Sequence, residues 1–226
     1  MGIRALLRRV FSHAPSVDMS AKPVANASSA YDRFMQSTKI GYLEWHDGIG
    51  YDLDAFRALT ASERDAVVQH LSGNNGPAFD WRDIEVFQAA TTPESIAALR
   101  RALQSSRADS RLHVAAALHA MGYLPDLGEI VARELDHVTI LDGMVYALGL
   151  VGHALTPRIR DALLRGVRDR PEVGPHYAAK LCYLTGNASS DFDWTMRPFF
   201  LRFGEHSSRD ERTRAYRELC EMIEAH

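Results

Sequence analysis

The sequence predicts an all-α protein. From residue 60 onward, helix-capping signals alternate with apolar residues spaced three and four apart, which is the period of an amphipathic helix. Apolar helices that end in glycine also recur at intervals of 30 and 34 residues. Strand signals are nearly absent, because no alternating segment of five or more residues is found. With 226 residues, 46% of them hydrophobic, the chain is long enough to bury a substantial core.

The first 30 residues are predicted to be a tail and a linker. Residues 3–11 place their apolar side chains on one helical stripe with three arginines off it, which indicates a basic amphipathic segment. Three interpretations stay open for this segment: a mobile tail, a helix docked on its own domain or on a partner, and a helix in weak contact with a membrane surface. Residues 13–30 are rich in Ser, Ala and Pro, which is typical of a linker. The folded domain is therefore expected over residues 31–226.

Capping residues place the following helices. Thr60 and Glu63 form a predicted capping box for a helix over residues 62–71. Asp80 is expected to cap a helix from Trp81 to Ala90, and Pro93 to begin the next one. Further amphipathic helices are predicted over residues 127–135 and 157–167, and a last one from Ser207 or Ser208 to Ala225.

Four of the apolar helices align on their last residue. They end at Thr91, Gly122, Gly152 and Gly186, and each follows another amphipathic helix. In this alignment one column is uniformly apolar and is expected to face the core, whereas a second stripe carries varied polar and aromatic groups. The core column contains Ile84, Ala115, Val145 and Ala179.

The repeats from about residue 60 to residue 186 resemble HEAT repeats, and DWRDIEVFQAATTPESIAALRRAL resembles the opening repeats of small bacterial HEAT-repeat proteins. The resemblance implies a HEAT-like α-solenoid of about five helix pairs, with the second helices lining its concave surface. Residues 192–226 are then the cap that seals its end. The residues expected to contact a partner from the concave face are Arg82, Glu85, His113, His119, Asp142, Tyr146, His176, Tyr177 and Lys180.

The segment FDWTMRPFFLRFG, residues 192–204, packs five aromatic residues and two arginines into thirteen positions. Capping of the exposed end of the solenoid is the first interpretation of this segment. A recognition surface, with Arg197 and Arg202 stacked on Trp194 or Phe203, is the alternative.

Sites for metals and cofactors are not expected. His113 and His119 are six residues apart and fall on different faces of one helix, and the HExxH spacing is absent. The chain has no G-x-S-x-G, P-loop or G-x-G-x-x-G motif. Two cysteines suit buried thiols in a reducing, cytoplasmic compartment, and the net charge of −3 argues against nucleic acid as a partner. No apolar run is long enough to cross a membrane.

The preferred functional hypothesis is a non-catalytic protein-binding module. The resemblance to immunity and antitoxin proteins of this type implies a toxic protein as the partner, and the acidic balance suits a basic toxin. The alternative is an enzyme or enzyme accessory similar to HEAT-like glycosylases or bilin lyases, with a pocket where Trp81, Asp83, Tyr146 and Tyr177 converge. Against a glycosylase, the acidic residues near Trp81 are interpreted as an N-cap at Asp80 and a surface pair of Arg82 with Glu85 beside a buried indole.

Overall fold

A computed structural model describes residues 29–74, 79–152, 155–191 and 193–224 of the chain. Within these ranges the protein is all-helical, with thirteen helices and no strand, which confirms the all-α part of the prediction. The predicted amphipathic segment at residues 3–11 and nearly all of the linker lie outside the described residues. The chain divides between Leu71 and Ser72 into two compact units.

The first unit is built around an aromatic cluster. Phe34 is fully buried, and its ring centroid lies 5.4 Å from that of Phe56 and 6.1 Å from that of Tyr51. The helices are α1 (Ala30–Ser37), α2 (Tyr42–His46), α3 (Leu53–Arg57) and α4 (Ala61–Asn74). Helix α4 belongs to this unit as far as Leu71.

The predicted capping box opens α4. The Thr60 N–H donates to Glu63 Oε2 at 2.8 Å, and the Glu63 N–H donates to Thr60 Oγ1 at 3.3 Å. The hydrogen bonds from the Thr60 hydroxyl and N–H lower the pKa of Glu63, because they stabilise its charged form. Local chemistry therefore sets the start of this helix, as the sequence predicts.

The second unit contains nine helices in its described part, and their bounds follow the predicted pattern within a few residues at most ends. Asp80 caps the first of them in a reciprocal pair with Asp83. Pro93 and Pro157 each occupy a first helical turn. The helices are α5 (Trp81–Ala90), α6 (Pro93–Ser105), α7 (Ala108–Ala120), α8 (Leu127–Glu134), α9 (Met144–Val151), α10 (Pro157–Asp169), α11 (Gly174–Leu184), α12 (Arg197–Leu201) and α13 (Arg209–Glu224).

The helices of the second unit pack mainly on near neighbours in the sequence. Helices α5 to α8 each contact the next helix, and α10 contacts α11. Contacts between second neighbours join α5 to α7, α7 to α9 and α8 to α10. At the C-terminal end α11 packs against both α12 and α13, and α13 also packs against α10.

The helix ends have the left-handed backbone that the glycine spacing predicts. Gly122, Gly152 and Gly186 have φ values of 81°, 54° and 77°, a conformation that glycine adopts without a steric penalty. Thr91 holds the corresponding position after α5 with φ of 53°. Threonine is β-branched, and a positive φ is sterically unfavourable for such residues.

The main core of the second unit runs from Leu112 on α7 to Ile223 on α13. Phe200 and Phe203, from the aromatic C-terminal segment, are buried in it. Cys182 also lies there, and burial raises the pKa of its thiol to about 11. Cys220 is only half-buried, so the expectation of two buried thiols holds for one of them.

A buried ion pair fixes α7 on α8. Arg111 donates to the Glu134 carboxylate at 2.9 Å and to the Ser106 carbonyl at 2.6 Å. Glu134 is 1% exposed, and Arg133 also donates to its carboxylate, at 3.4 Å. The first two turns of α7, which carry Asp109 and His113, are thereby held in place.

Candidate functional site

A tight turn between α8 and α9 presents two apolar side chains to solvent. The Thr139 N–H donates to the Asp142 carbonyl at 3.0 Å, and the Asp142 N–H donates back to the Thr139 carbonyl at 3.1 Å. Ile140 and Leu141 occupy the tip of this turn and are 51% and 97% exposed. Val145, in the first turn of α9, is 69% exposed. Ile140, Leu141 and Val145 together are called the turn surface below.

The backbone leading into the turn is held by the core. Arg170, just after α10, donates to the Leu135 carbonyl at 3.0 Å and to the Val138 carbonyl at 2.7 Å. The Tyr177 hydroxyl donates to the same Leu135 carbonyl at 2.7 Å. Since Leu135 and Val138 are fully buried, the backbone that enters the turn is anchored in the core.

The far side of the turn is held against the start of α7. Asp142 Oδ1 accepts the Asp109 N–H at 3.4 Å. Gly143 has φ of 80°, and a Cβ atom at this position would lie 3.0 Å from the Asp109 Cα. Both the left-handed backbone and the close approach therefore require glycine here.

An aromatic pair and two carboxylates lie beside the turn. The rings of His113 and Tyr146 stack with centroids 3.7 Å apart and planes 7° from parallel. The Asp109 carbonyl can only accept, so its 3.0 Å contact assigns the hydrogen to Nδ1 of His113. Burial, reinforced by the carboxylates of Asp109 and Glu85, raises the pKa of Tyr146 to about 12. Tyr146 therefore stays a neutral phenol in a negative field.

The structure brings four of the nine predicted contact residues to this region. His113, Asp142 and Tyr146 adjoin the turn and remain partly exposed, and the Glu85 carboxylate acts on Tyr146 from α5. His119 lies at the other end of α7, where its Nδ1 donates to the Leu124 carbonyl at 2.7 Å.

Three predicted contact residues are buried and unavailable to a partner. Tyr177 is fully buried, because its ring packs directly on the backbone of Gly166 in α10. Lys180 is 5% exposed and forms an ion pair at 3.1 Å with Asp191, in the segment that follows α11. Arg82 is 3% exposed and pairs with Asp80 at 3.0 Å. The sequence predicted a buried Trp81 and an Arg82 at the surface. In the structure Arg82 is buried and Trp81 is only half-buried.

The register of α9 is a second correction. Ile84, Ala115 and Ala179 are buried as the core column predicts, but Val145 is 69% exposed.

The ninth predicted contact residue, His176, is half-buried, and burial lowers its pKa. Ile140 and Leu141 were not predicted to lie at a contact surface, although two apolar residues in a short link before Asp142 and Gly143 indicate an exposed turn.

The groups named for an enzymatic pocket have structural partners. The Asp83 carboxylate accepts the Asp80 N–H at 3.2 Å, and the Tyr177 hydroxyl is bound to Leu135 in the core. Among the described residues, no group of three or more His, Cys, Asp or Glu side chains could hold a metal ion. In the same part of the chain, none of the helices combines the length and apolar character needed to cross a membrane.

Comparison with family models, with curated proteins and with solved structures finds no match to this chain.

Proposed function

We propose that this chain is a non-catalytic protein-binding module that contacts its partner through the turn surface. One observation carries the proposal: Leu141 is 97% exposed on a turn whose backbone is tied to the core by Arg170 and Tyr177. An exposed apolar group on a fixed backbone loses little conformational freedom when a partner covers it. Such a group is well suited to anchor an interface.

The proposed architecture is a HEAT-like solenoid in the second unit. The packing of α5 on α7, of α7 on α9 and of α8 on α10 supports it, because stacked helix pairs bring every second helix together. In this arrangement α5, α7 and α9 line one face, which carries Glu85, His113 and Tyr146. The turn surface lies at the start of α9, beside His113 and Tyr146, and is apolar and exposed.

The proposed partner is a basic protein. Asp109 has a side chain that is 47% exposed, and together with Asp142 it borders the turn. The chain as a whole carries a net charge of −3, and opposite charge on a partner raises the rate of association. A toxic enzyme that the chain neutralises, as immunity-type proteins do, is the partner that fits this charge and the absence of a catalytic motif in the sequence.

The burial of Leu141 by a partner sets the expected loss of affinity when this residue is replaced. Complete burial of a leucine side chain contributes about 1.5–3 kcal/mol. Replacement by serine should therefore weaken partner binding by about 10- to 150-fold. Folding should be unaffected, because the side chain has almost no contacts to lose.

The test is affinity capture from the source cell with the full chain, the Leu141→Ser variant and a matched Leu43→Ser control. Leu43 is also exposed, at 70%, but lies on α2 in the first unit. We expect one stoichiometric partner that Leu43→Ser retains and Leu141→Ser loses. Expression of that partner alone should arrest growth, and co-expression of the chain should restore it. A partner held equally by both variants would contradict the assigned surface, and a harmless partner would contradict the immunity role.

A further inference from the structure

The segment around the short helix α12, residues 194–203, has a second, exposed side. Phe200 and Phe203 face the core, whereas Trp194, Arg197 and Leu201 are exposed, the indole by 74% and Leu201 by 55%. Arg197 and Leu201 are four positions apart in α12, the spacing that places side chains on one side of a helix. Trp194 lies in the turn that leads into α12, and its ring is in contact with Arg197. They are called the cap surface below.

The cap surface carries an available positive charge. The Arg197 guanidinium lies 4.9 Å from the centre of the Trp194 ring, and no carboxylate in the described part of the chain forms an ion pair with it. Arg202 differs, because it is bound to Glu218 at 2.6 Å. The surface is therefore apolar, aromatic and cationic.

The turn surface has the complementary composition. Its apolar tip, Ile140 and Leu141, is bordered by the carboxylates of Asp109 and Asp142, and Asp109 is half-exposed. Leu141 and Trp194 are both largely exposed in the same molecule, so the two surfaces do not cover each other within one chain. A contact between them can form only between two copies.

We propose that the turn surface of one copy docks on the cap surface of a second copy, with Leu141 against Trp194 and Leu201 and with Arg197 facing Asp109 and Asp142. The contact joins two different patches, so each complex leaves one turn surface and one cap surface free. Assembly then continues head to tail as concentration rises. Each surface consists of only three residues, and small interfaces are weak and transient.

The self-contact would also regulate the proposed function, because a turn surface held by a second copy is withheld from the partner. The self-contact itself does not rest on that function. Sedimentation experiments on the pure chain contain no partner and therefore test the self-contact alone. Affinity capture uses a low concentration of the chain, at which the weak self-contact does not form, and therefore tests partner binding alone. Either proposal can therefore fail while the other stands.

The test is sedimentation velocity of the full chain from about 10 µM to about 1 mM, a range that covers weak contacts. We expect the weight-average sedimentation coefficient to rise with concentration past the value of a dimer. The rise should be smaller at high salt, because salt screens the pairing of Arg197 with the two aspartates. Leu43→Ser should behave like the unchanged chain.

A mixture of two variants gives the decisive result. Leu141→Ser lacks the turn surface, and Trp194→Ala with Arg197→Ser lacks the cap surface; each alone should remain monomeric. Mixed in equal amounts, they retain one intact pair of surfaces and should form a 1:1 heterodimer that does not grow further. Unchanged thermal unfolding of each variant confirms that its fold is intact.

Three results would overturn the proposal. The first is an unchanged chain that stays monomeric over the whole range. The second is association that survives in either variant alone, as a symmetric contact between two turn surfaces would in the Trp194 variant. The third is a mixture that forms no heterodimer.

Discussion

Substitution of Gly166 by alanine should destabilise the protein, although ordinary helix propensity predicts the opposite. Gly166 is a buried residue inside α10. A Cβ atom there would lie 2.3 Å from Cδ2 and 2.4 Å from Cε2 of Tyr177, far closer than carbon atoms approach. The ring must move, and its hydroxyl is the group that holds the Leu135 carbonyl at the base of the turn.

The expected free energy combines three contributions. Replacing glycine by alanine in a helix interior stabilises by roughly 0.5–1 kcal/mol. Inserting a methyl group into a packed core costs about 1–3 kcal/mol, and losing the hydrogen bond from Tyr177 costs about 1 kcal/mol. We therefore expect Gly166→Ala to lower the free energy of unfolding by about 1–3 kcal/mol.

The assay is urea denaturation followed by far-UV circular dichroism, with Gly149→Ala as the control. Gly149 is also helical, but no atom lies within 4 Å of a Cβ placed there, so its replacement should stabilise the protein. In a Tyr177→Leu background, which removes the ring, the cost of Gly166→Ala should largely disappear. An increase in stability for Gly166→Ala, similar to that for Gly149→Ala, would refute the packing of Tyr177 on α10 and with it the anchoring of the turn.

Three further substitutions have definite expected outcomes. Thr91→Gly should raise the free energy of unfolding by about 0.5–1 kcal/mol, measured by denaturation, because it relieves a β-branched residue with φ of 53°. Gly143→Ala should lower it by about 1–3 kcal/mol, and hydrogen exchange at the Thr139 and Asp142 amides should accelerate as the turn is displaced from Asp109. Hydrogen bonds from the hydroxyls and N–H groups of Thr195 and Ser189 lower the pKa of Asp193, so its stabilising contribution is present above the ordinary aspartate pKa and is lost as pH falls through the lowered value. Asp193→Asn should therefore reduce the melting temperature at about pH 7. The difference in melting temperature between the variant and the unchanged chain should vanish on acidification. A difference that does not change with pH would contradict the role of the Asp193 charge.

The helix positions could be predicted because their causes are local. Asp80, Pro93 and the glycines after α7, α9 and α11 act on backbone groups within a few residues, and a sequence shows these neighbours directly. The same holds for the capping box at Thr60. The predicted helices consequently agree with those of the structure, apart from short extensions at some ends.

The faces of the helices were predicted less well, because they depend on what packs against each helix. Tyr177 was predicted to contact a partner from the concave face, but the missing side chain of Gly166 creates the space that buries it. Lys180 is covered by the chain after α11, through Asp191. The alignment placed Val145 in the core column, but it is exposed in the first turn of α9, directly after the turn at residues 139–142.

Tyr177 illustrates how a residue can matter to a surface from which it is absent. Its side chain cannot touch a partner, yet its hydroxyl fixes the Leu135 carbonyl from which the turn departs. Arg170 supplies the same support to Val138. Substitutions at Tyr177 or Arg170 should then weaken binding through disorder of the turn, whereas substitution of Leu141 should weaken it through lost contact alone. The two causes separate experimentally, because only the first accelerates hydrogen exchange in residues 135–143 of the unbound chain.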